Sequence, residues 1–293
     1  VGSAKQQTQR RRVQEPILVE GGFDQADGLR RMFGATRTRL LEVAAGMPGI
    51  GRTSLVVNLG AALARSGRNT LLVDLVARPT ESRVQAYFGI PAAGAPISSA
   101  SAFAVADGYG IRTVSHPEWM HSGPLAASAF SVAGRGRAAS LHDWVLVNGS
   151  GVEPVVTTED AERDVLILLS GASASITDAY GVLKRMAAAD ARCRFRVVVN
   201  RVNGPEAAQR IFANIAEAAQ VYLNVVLEYA GCIPTDAAIL RAAAERTSVL
   251  DVAPASVAAQ AYTRLAEAIA TSSSARPMPV ALAFDSSIAL GAT

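Results

Sequence analysis

Only two cysteines occur in 293 residues, and aromatic and charged side chains are sparse, at 5% and 18%. Each shortage excludes something. Cys193 and Cys232 lie far apart, each within an apolar strand-like run, so they form no disulfide framework. They read as buried, reduced thiols of a cytosolic protein. His116, His121 and His142 have no cysteine or carboxylate pattern around them, so no metal-ligand spacing exists. No apolar run is long enough to span a bilayer and no leader segment is visible, which predicts a cytoplasmic location. The net charge of +3 owes much to Lys5 and Arg10-Arg11-Arg12. The remainder is close to neutral, so no nucleic-acid-binding surface is expected.

What is abundant is apolar residues, half of the chain, enough for a large core. From Leu40 onward, apolar strand-like runs alternate with runs of helical spacing. Strands are expected at Leu40–Ala45, Thr70–Val76, Ile111–Ser115, Asp143–Val147, Asp164–Ser170, Phe195–Asn200 and Asn224–Ile233. Helices are expected at Ser54–Arg65, Thr177–Ala189, Pro205–Tyr222, Ala237–Glu245 and Ser256–Ala270, with another over Leu125–Ala139 broken by Gly134 and Gly136. Gly89 to Ser101 reads as a loop or insert. This order predicts an α/β fold, a mostly parallel twisted sheet covered by helices on both faces. The division expected is a disordered basic tail (1–22), a short helix (23–34), an α/β domain (38–272) and a flexible C-terminal tail (273–293).

Between the first strand and the first helix lies Gly46-Met47-Pro48-Gly49-Ile50-Gly51-Arg52-Thr53. Its spacing is that of a phosphate-binding loop, G-x-x-x-x-G-K-[ST], in which glycines let backbone N–H groups close around phosphate and the lysine adds a point charge. Here Arg52 stands at the lysine position.

Several further segments resemble the MinD/ParA group of ATPases with a deviant Walker loop. They are Val57-Asn58-Leu59-Gly60-Ala61-Ala62-Leu63-Ala64, Gly67-Arg68 and Leu71-Leu72-Val73-Asp74. Within that group, three segments are similar to the flagellar-number regulators FlhG and FleN. These are Ser175-Ile176-Thr177-Asp178-Ala179-Tyr180, Arg194-Phe195-Arg196-Val197-Val198-Val199-Asn200, and the turn Gly231-Cys232-Ile233-Pro234-Thr235-Asp236. The resemblance runs from about residue 40 to about residue 270 and implies the P-loop NTPase fold.

It also implies a nucleotide site that has changed at several positions. The family's loop reads K-G-G-x-G-K-[ST], and its first lysine reaches a partner subunit's nucleotide. That position is Met47 here, which carries no charge, and Pro48 removes one N–H from the cradle. Arg52 is charged but bulkier than an ammonium, with a planar fork. The family's water-positioning Asp corresponds to Val76, and an Asp that supports magnesium corresponds to Asn148, a weaker partner for a hard cation. Gly49, Gly51 and Thr53 keep the family's identities, Asn200 matches its adenine-contacting position, and the Pro234 turn lines that pocket. Phosphoryl transfer depends on positioning and charge neutralisation, so this set predicts an inefficient ATPase with no catalytic residue of its own. ATP or ADP with magnesium stays open as a ligand of the residual loop.

Upstream, Phe23-Asp24-Gln25-Ala26-Asp27-Gly28-Leu29-Arg30 resembles the D-Q-A-x-x-L-R element of FlhG proteins, which binds and stimulates the GTPase FlhF. Asp24 suits a helix N-terminus. Phe23, Ala26, Leu29 and Phe33 share a face, with Arg30 and Arg31 off it. Gly28 costs such a helix about 1 kcal/mol relative to Ala, which suits folding on binding to a groove. The partner-binding residues implied are Phe23, Asp24, Gln25, Leu29 and Arg30. The partner implied is an FlhF-like GTPase of the signal-recognition type, with a flagellar transcriptional regulator as a further candidate. FlhG and MinD proteins end in a basic amphipathic helix. Thr271 to Pro279 offers two prolines and one arginine instead, so membrane binding is not expected.

The reading is of a cytosolic FlhG/FleN-like regulator of flagellar number, placement or biosynthesis, acting through protein contacts. Two others stay open. One is an ATP-hydrolysing, MinD-like dimerisation switch that uses Arg52. The other is a MinD-like accessory protein of another envelope system.

Overall fold

Runs such as Val165-Leu166-Ile167-Leu168-Leu169 carry nothing polar on either side, and a strand made from them must be covered on both faces. The computed structural model describes residues 39–74, 84, 87–88, 104–106, 111–115, 143–149 and 163–271, all within the unit Arg37–Thr293. The readings made for 1–22, 23–34, Gly89–Ser101, Leu125–Ala139 and 273–293 lie outside the described residues.

Among the described residues, eight strands form one sheet: β1 (Arg39–Ala44), β2 (Thr70–Asp74), β3 (Ala104–Ala106), β4 (Ile111–Ser115), β5 (Trp144–Asn148), β6 (Arg163–Leu169), β7 (Arg194–Val202) and β8 (Leu227–Pro234). Their order is β3-β4-β2-β5-β1-β6-β7-β8. Every pairing is parallel except β3 with β4. Six helices are described: α1 (Arg52–Arg65), α2 (Ser173–Ala189), α3 (Pro205–Leu223), α4 (Ala237–Ala244), the one-turn α5 (Val249–Val252) and α6 (Val257–Thr271).

The period of two along each strand splits the core into two layers. Val165, Ile167, Leu169, Phe195, Val197 and Val199 face α2 and α3. Leu166, Leu168 and Val198 face α1 and α6 on the other side. The helices are amphipathic to match: Ala179, Val182, Leu183 and Met186 form the buried stripe of α2, and Ala258, Ala261, Tyr262, Leu265 and Ile269 that of α6.

The differences from the expected bounds have local causes. The helix expected from Thr177 begins at Ser173. Its first-turn Ser175 is buried and accepts a hydrogen bond from the Ser170 N–H at 2.9 Å, which ties the earlier start of the helix to the end of β6. Asn224, expected to open a strand, caps α3 in the left-handed conformation (φ 53), which Asn tolerates. β3 and α5 were not expected, because three small apolar residues and a four-residue turn carry no periodicity. An internal tether holds α5 in place. Asn58, buried in α1, accepts hydrogen bonds from Ser248 Oγ (3.0 Å) and the Val249 N–H (2.8 Å).

The cysteine reading needs correction. Neither cysteine is in a disulfide, both are half-buried, and Cys193 precedes β7 instead of lying in a strand. Cys232 lies in β8, at the edge of the described sheet, where most residues stay partly exposed.

At the N-terminal ends of the strands, Arg196 is buried between Asp164 (3.4 Å) and Glu228 (3.3 Å). Burial pulls its guanidinium below the ordinary arginine value, and Asp164 opposes that shift. Arg194 pairs with Glu228 at 2.7 Å. Arg39 bonds Asp164 at 3.3 Å and the Ile269 carbonyl at 3.0 Å, and lies 4.3 Å over the Trp144 ring.

Candidate functional site

At the other end of the sheet, β1 stops at Ala44 and the chain turns through 45–51 into α1. Gly46 is required by close approach: a Cβ there would lie 2.4 Å from the backbone of Asp178 in α2. Gly49 (φ 75) and Gly51 (φ 102) take the left-handed conformation. Ile50 between them and Arg52 after them do not, and such alternation turns successive N–H groups to one side as an anion-holding nest. Gly51 caps α1 without a side-chain hydrogen bond. The first turn of the helix therefore offers N–H groups and the positive end of its dipole. Met47 is half-buried in this loop and Pro48 is exposed.

The polar side chains of the site come from the ends of neighbouring strands. Parallel register sets Asn148 at the end of β5 beside Val43 of β1 and Asp74 of β2. Arg52 Nε donates to Asn148 Oδ1 at 2.8 Å. Asn148 Nδ2 donates to Asp74 Oδ1 at 2.8 Å and reaches Thr53 Oγ1 at 3.5 Å. The Val84 N–H donates to Asp74 Oδ2 at 2.9 Å. Asp74 and Asn148 are each only 1% exposed.

A second group holds the loop from β7. Asn200 Nδ2 donates to the Ile50 carbonyl at 2.7 Å, while its Oδ1 accepts from the Arg201 N–H at 2.9 Å. Arg201 donates to the Gly49 carbonyl at 2.7 Å. It can do so because it is the extra residue of a β-bulge: Asn200 pairs with Ile233 and Val202 with Pro234, leaving Arg201 unmatched at φ 57. Bulges re-aim side chains in this way. Beyond Pro234, the Asp236 carboxylate caps α4 through the Ala238 N–H (2.9 Å) and also accepts from the Ala258 N–H (3.1 Å) of α6. The Ala238 N–H above all, with that of Ala258, holds the Asp236 carboxyl below its ordinary value against the effect of burial.

The structure thus gathers Gly49, Gly51, Arg52, Thr53, Asn148 and Asn200 around one loop. Pro234 ends β8, one residue beyond the partner of Asn200. Val76 lies outside the described residues, as do Phe23, Asp24, Gln25, Leu29 and Arg30. Sequence reasoning missed Asp74 as the hub of the polar chain, the clamp by Arg201, and the fit of Gly46 against α2. The sequence contains no signal for the bulge at Arg201. Asp74, as the last polar residue of an apolar strand, did carry one.

Magnesium is the cation this kind of loop implies. The hydroxyl of Thr53 and the carboxylate of Asp74 are suitable oxygens, but the amide NH₂ of Asn148 points at both. Among the described residues no group of three or more His, Cys, Asp or Glu could hold a metal ion, and no helix is long and apolar enough to cross a membrane.

Sheet order, loop and flanking strand ends define a P-loop protein of the deviant-Walker class. The chain belongs to the CobQ/CobB/MinD/ParA nucleotide binding domain family, which matches residues 41–249. Within that class it is similar to the antiactivator FleN of Pseudomonas aeruginosa: the two are 26% identical over 253 residues, covering 82% of this chain and 89% of that one. Among solved structures, the MinD cell division protein of Aquifex aeolicus aligns over 80% of this chain and 98% of its own, with TM-score 0.59 and 18% identity. The septum site-determining protein MinD of Pyrococcus horikoshii, complexed with Mg-ADP, aligns over 80% and 96% with TM-score 0.58 and 20% identity. Both share the fold.

Proposed function

We infer that this chain is a FleN-like regulator of flagellar number, placement or biosynthesis, working through protein contacts and hydrolysing ATP poorly or not at all. The observation that carries the reading is the similarity to FleN across most of both chains. That similarity favours a flagellar role over service to another envelope system. Weak hydrolysis is supported by the loop itself. The arginine at the lysine position is bonded to Asn148, and neither it nor an amide supplies the compact charge and metal support that phosphoryl transfer uses. Regulation would run through an FlhF-like GTPase gripped by Phe23, Asp24, Gln25, Leu29 and Arg30.

The test has two parts. Deleting the gene in its own host should change the number or position of flagella seen by electron microscopy, and an unchanged pattern would refute the regulatory reading. Purified protein should show no ATP turnover above background. Turnover that Arg52→Ala abolishes would instead establish the ATP-driven switch.

A further inference from the structure

We propose that the Arg52 guanidinium takes the place of the divalent cation at this loop, so that a nucleotide bound here is held without metal. The inference refines the reading of the loop as an altered nucleotide site and does not depend on the flagellar role.

The Nε–H of arginine can only donate. Its bond to Asn148 at 2.8 Å therefore fixes which end of the amide faces it: the oxygen points to Arg52 and the NH₂ to the far side. On that far side lie Asp74 Oδ1 at 2.8 Å and Thr53 Oγ1 at 3.5 Å. These are the oxygens that a hard cation beside the loop would use. A magnesium ion needs close to six oxygens in near-octahedral array at about 2.0–2.1 Å. It would meet N–H hydrogens aimed at two of the candidates, and find the Asn148 amide oxygen already bonded to the Arg52 guanidinium. Rotating the amide does not help, since its NH₂ would then face the Arg52 Nε–H, donor against donor. Because Asp74 and Asn148 are buried, breaking this chain would leave polar groups unsatisfied out of water, which is unfavourable.

The anion side of the loop survives independently of metal. The Gly49 and Ile50 carbonyls are drawn towards Arg201 and Asn200. In a trans peptide the C=O and N–H point in opposite directions. The N–H groups of Ile50 and Gly51 therefore turn to the other side, where the alternating φ angles gather them. A permanent positive charge at the first residue of α1 adds to that field.

The experiment is equilibrium binding of a fluorescent ATP or ADP analogue to the full chain, with magnesium and with EDTA. The expected result is saturable binding with the same affinity in both, and no tight manganese site by electron paramagnetic resonance in the nucleotide complex. Asn148→Asp should create metal dependence of about tenfold or more. If that variant fails to fold, Arg52→Lys, which withdraws the guanidinium from Asn148, should shift dependence the same way. Loss of wild-type binding in EDTA, a tight manganese site in the wild-type complex, or no saturable binding under either condition overturns the proposal. None of these outcomes bears on flagellar counts, so the two readings fail separately.

Discussion

Both ends of the sheet hold arginine, but with different partners. At the N-terminal ends of the strands, Arg39, Arg194 and Arg196 are matched against the carboxylates of Asp164 and Glu228. At the C-terminal ends, Arg52 bonds a neutral amide, which hands the interaction on to Asp74. The first arrangement offsets most of its charge on the spot, three arginines against two carboxylates, and links β1, β6, β7 and β8. The second gathers its polar groups beneath a loop whose backbone is shaped for an anion. Charge at one end is therefore structural, and at the other it is poised towards a ligand.

The comparison is broken most severely at Asp164. Removing it with Asp164→Ala leaves Arg196 and Arg39 without a shared carboxylate, and should cost about 3–5 kcal/mol in denaturant unfolding. Arg196→Met is the control. It leaves Asp164 with Arg39 and Glu228 with Arg194, so stability should change little. If both variants fall equally, the arginine is needed for more than its charge.

A smaller effect is expected at the loop. Gly46→Ala forces a methyl into the backbone of Asp178, and should cost about 1–3 kcal/mol as overpacking, read as a lowered unfolding midpoint. A neutral result would mean that α2 can retreat from the loop.

The mildest effect concerns Asp236. Replacing it by Ala removes the α4 cap and should cost about 1 kcal/mol. Its folded-state pKa lies below the unfolded one, so its stabilisation is fully present above the unfolded value of about 3.9 and fades as pH falls through the folded value. Wild type and Asp236→Ala should therefore converge in stability below about pH 4 and separate above it.

Much of the fold was legible because a parallel sheet covered on both faces needs continuous apolar strands, and these stand out between helical runs. The boundaries were less so. Ser173–Ser175 and Asn224 use side-chain bonds and a left-handed cap that local composition does not announce. The glycine spacing of the loop and the arginine at 52 could be read directly. The bond from Arg52 to Asn148 could not, because it joins residues 96 positions apart and exists only once β1, β2 and β5 lie side by side. Arg201 was hidden for a similar reason, since its aim depends on the register of β7 against β8.

That register has a further consequence. Val197 pairs with Tyr229 and Val198 with Gly231, so Ala230 is an extra residue in β8, just as Arg201 is in β7. The two irregularities lie on opposite strands and cancel, so the pairing returns to its original phase at Val202 and Pro234. Deleting either residue alone would throw the strand ends out of step and flip side chains between faces. Deleting both leaves an unbroken ladder. In genetic language each deletion is a suppressor of the other, and the doubly shortened chain keeps the sheet while losing the hand that Arg201 lays on the loop.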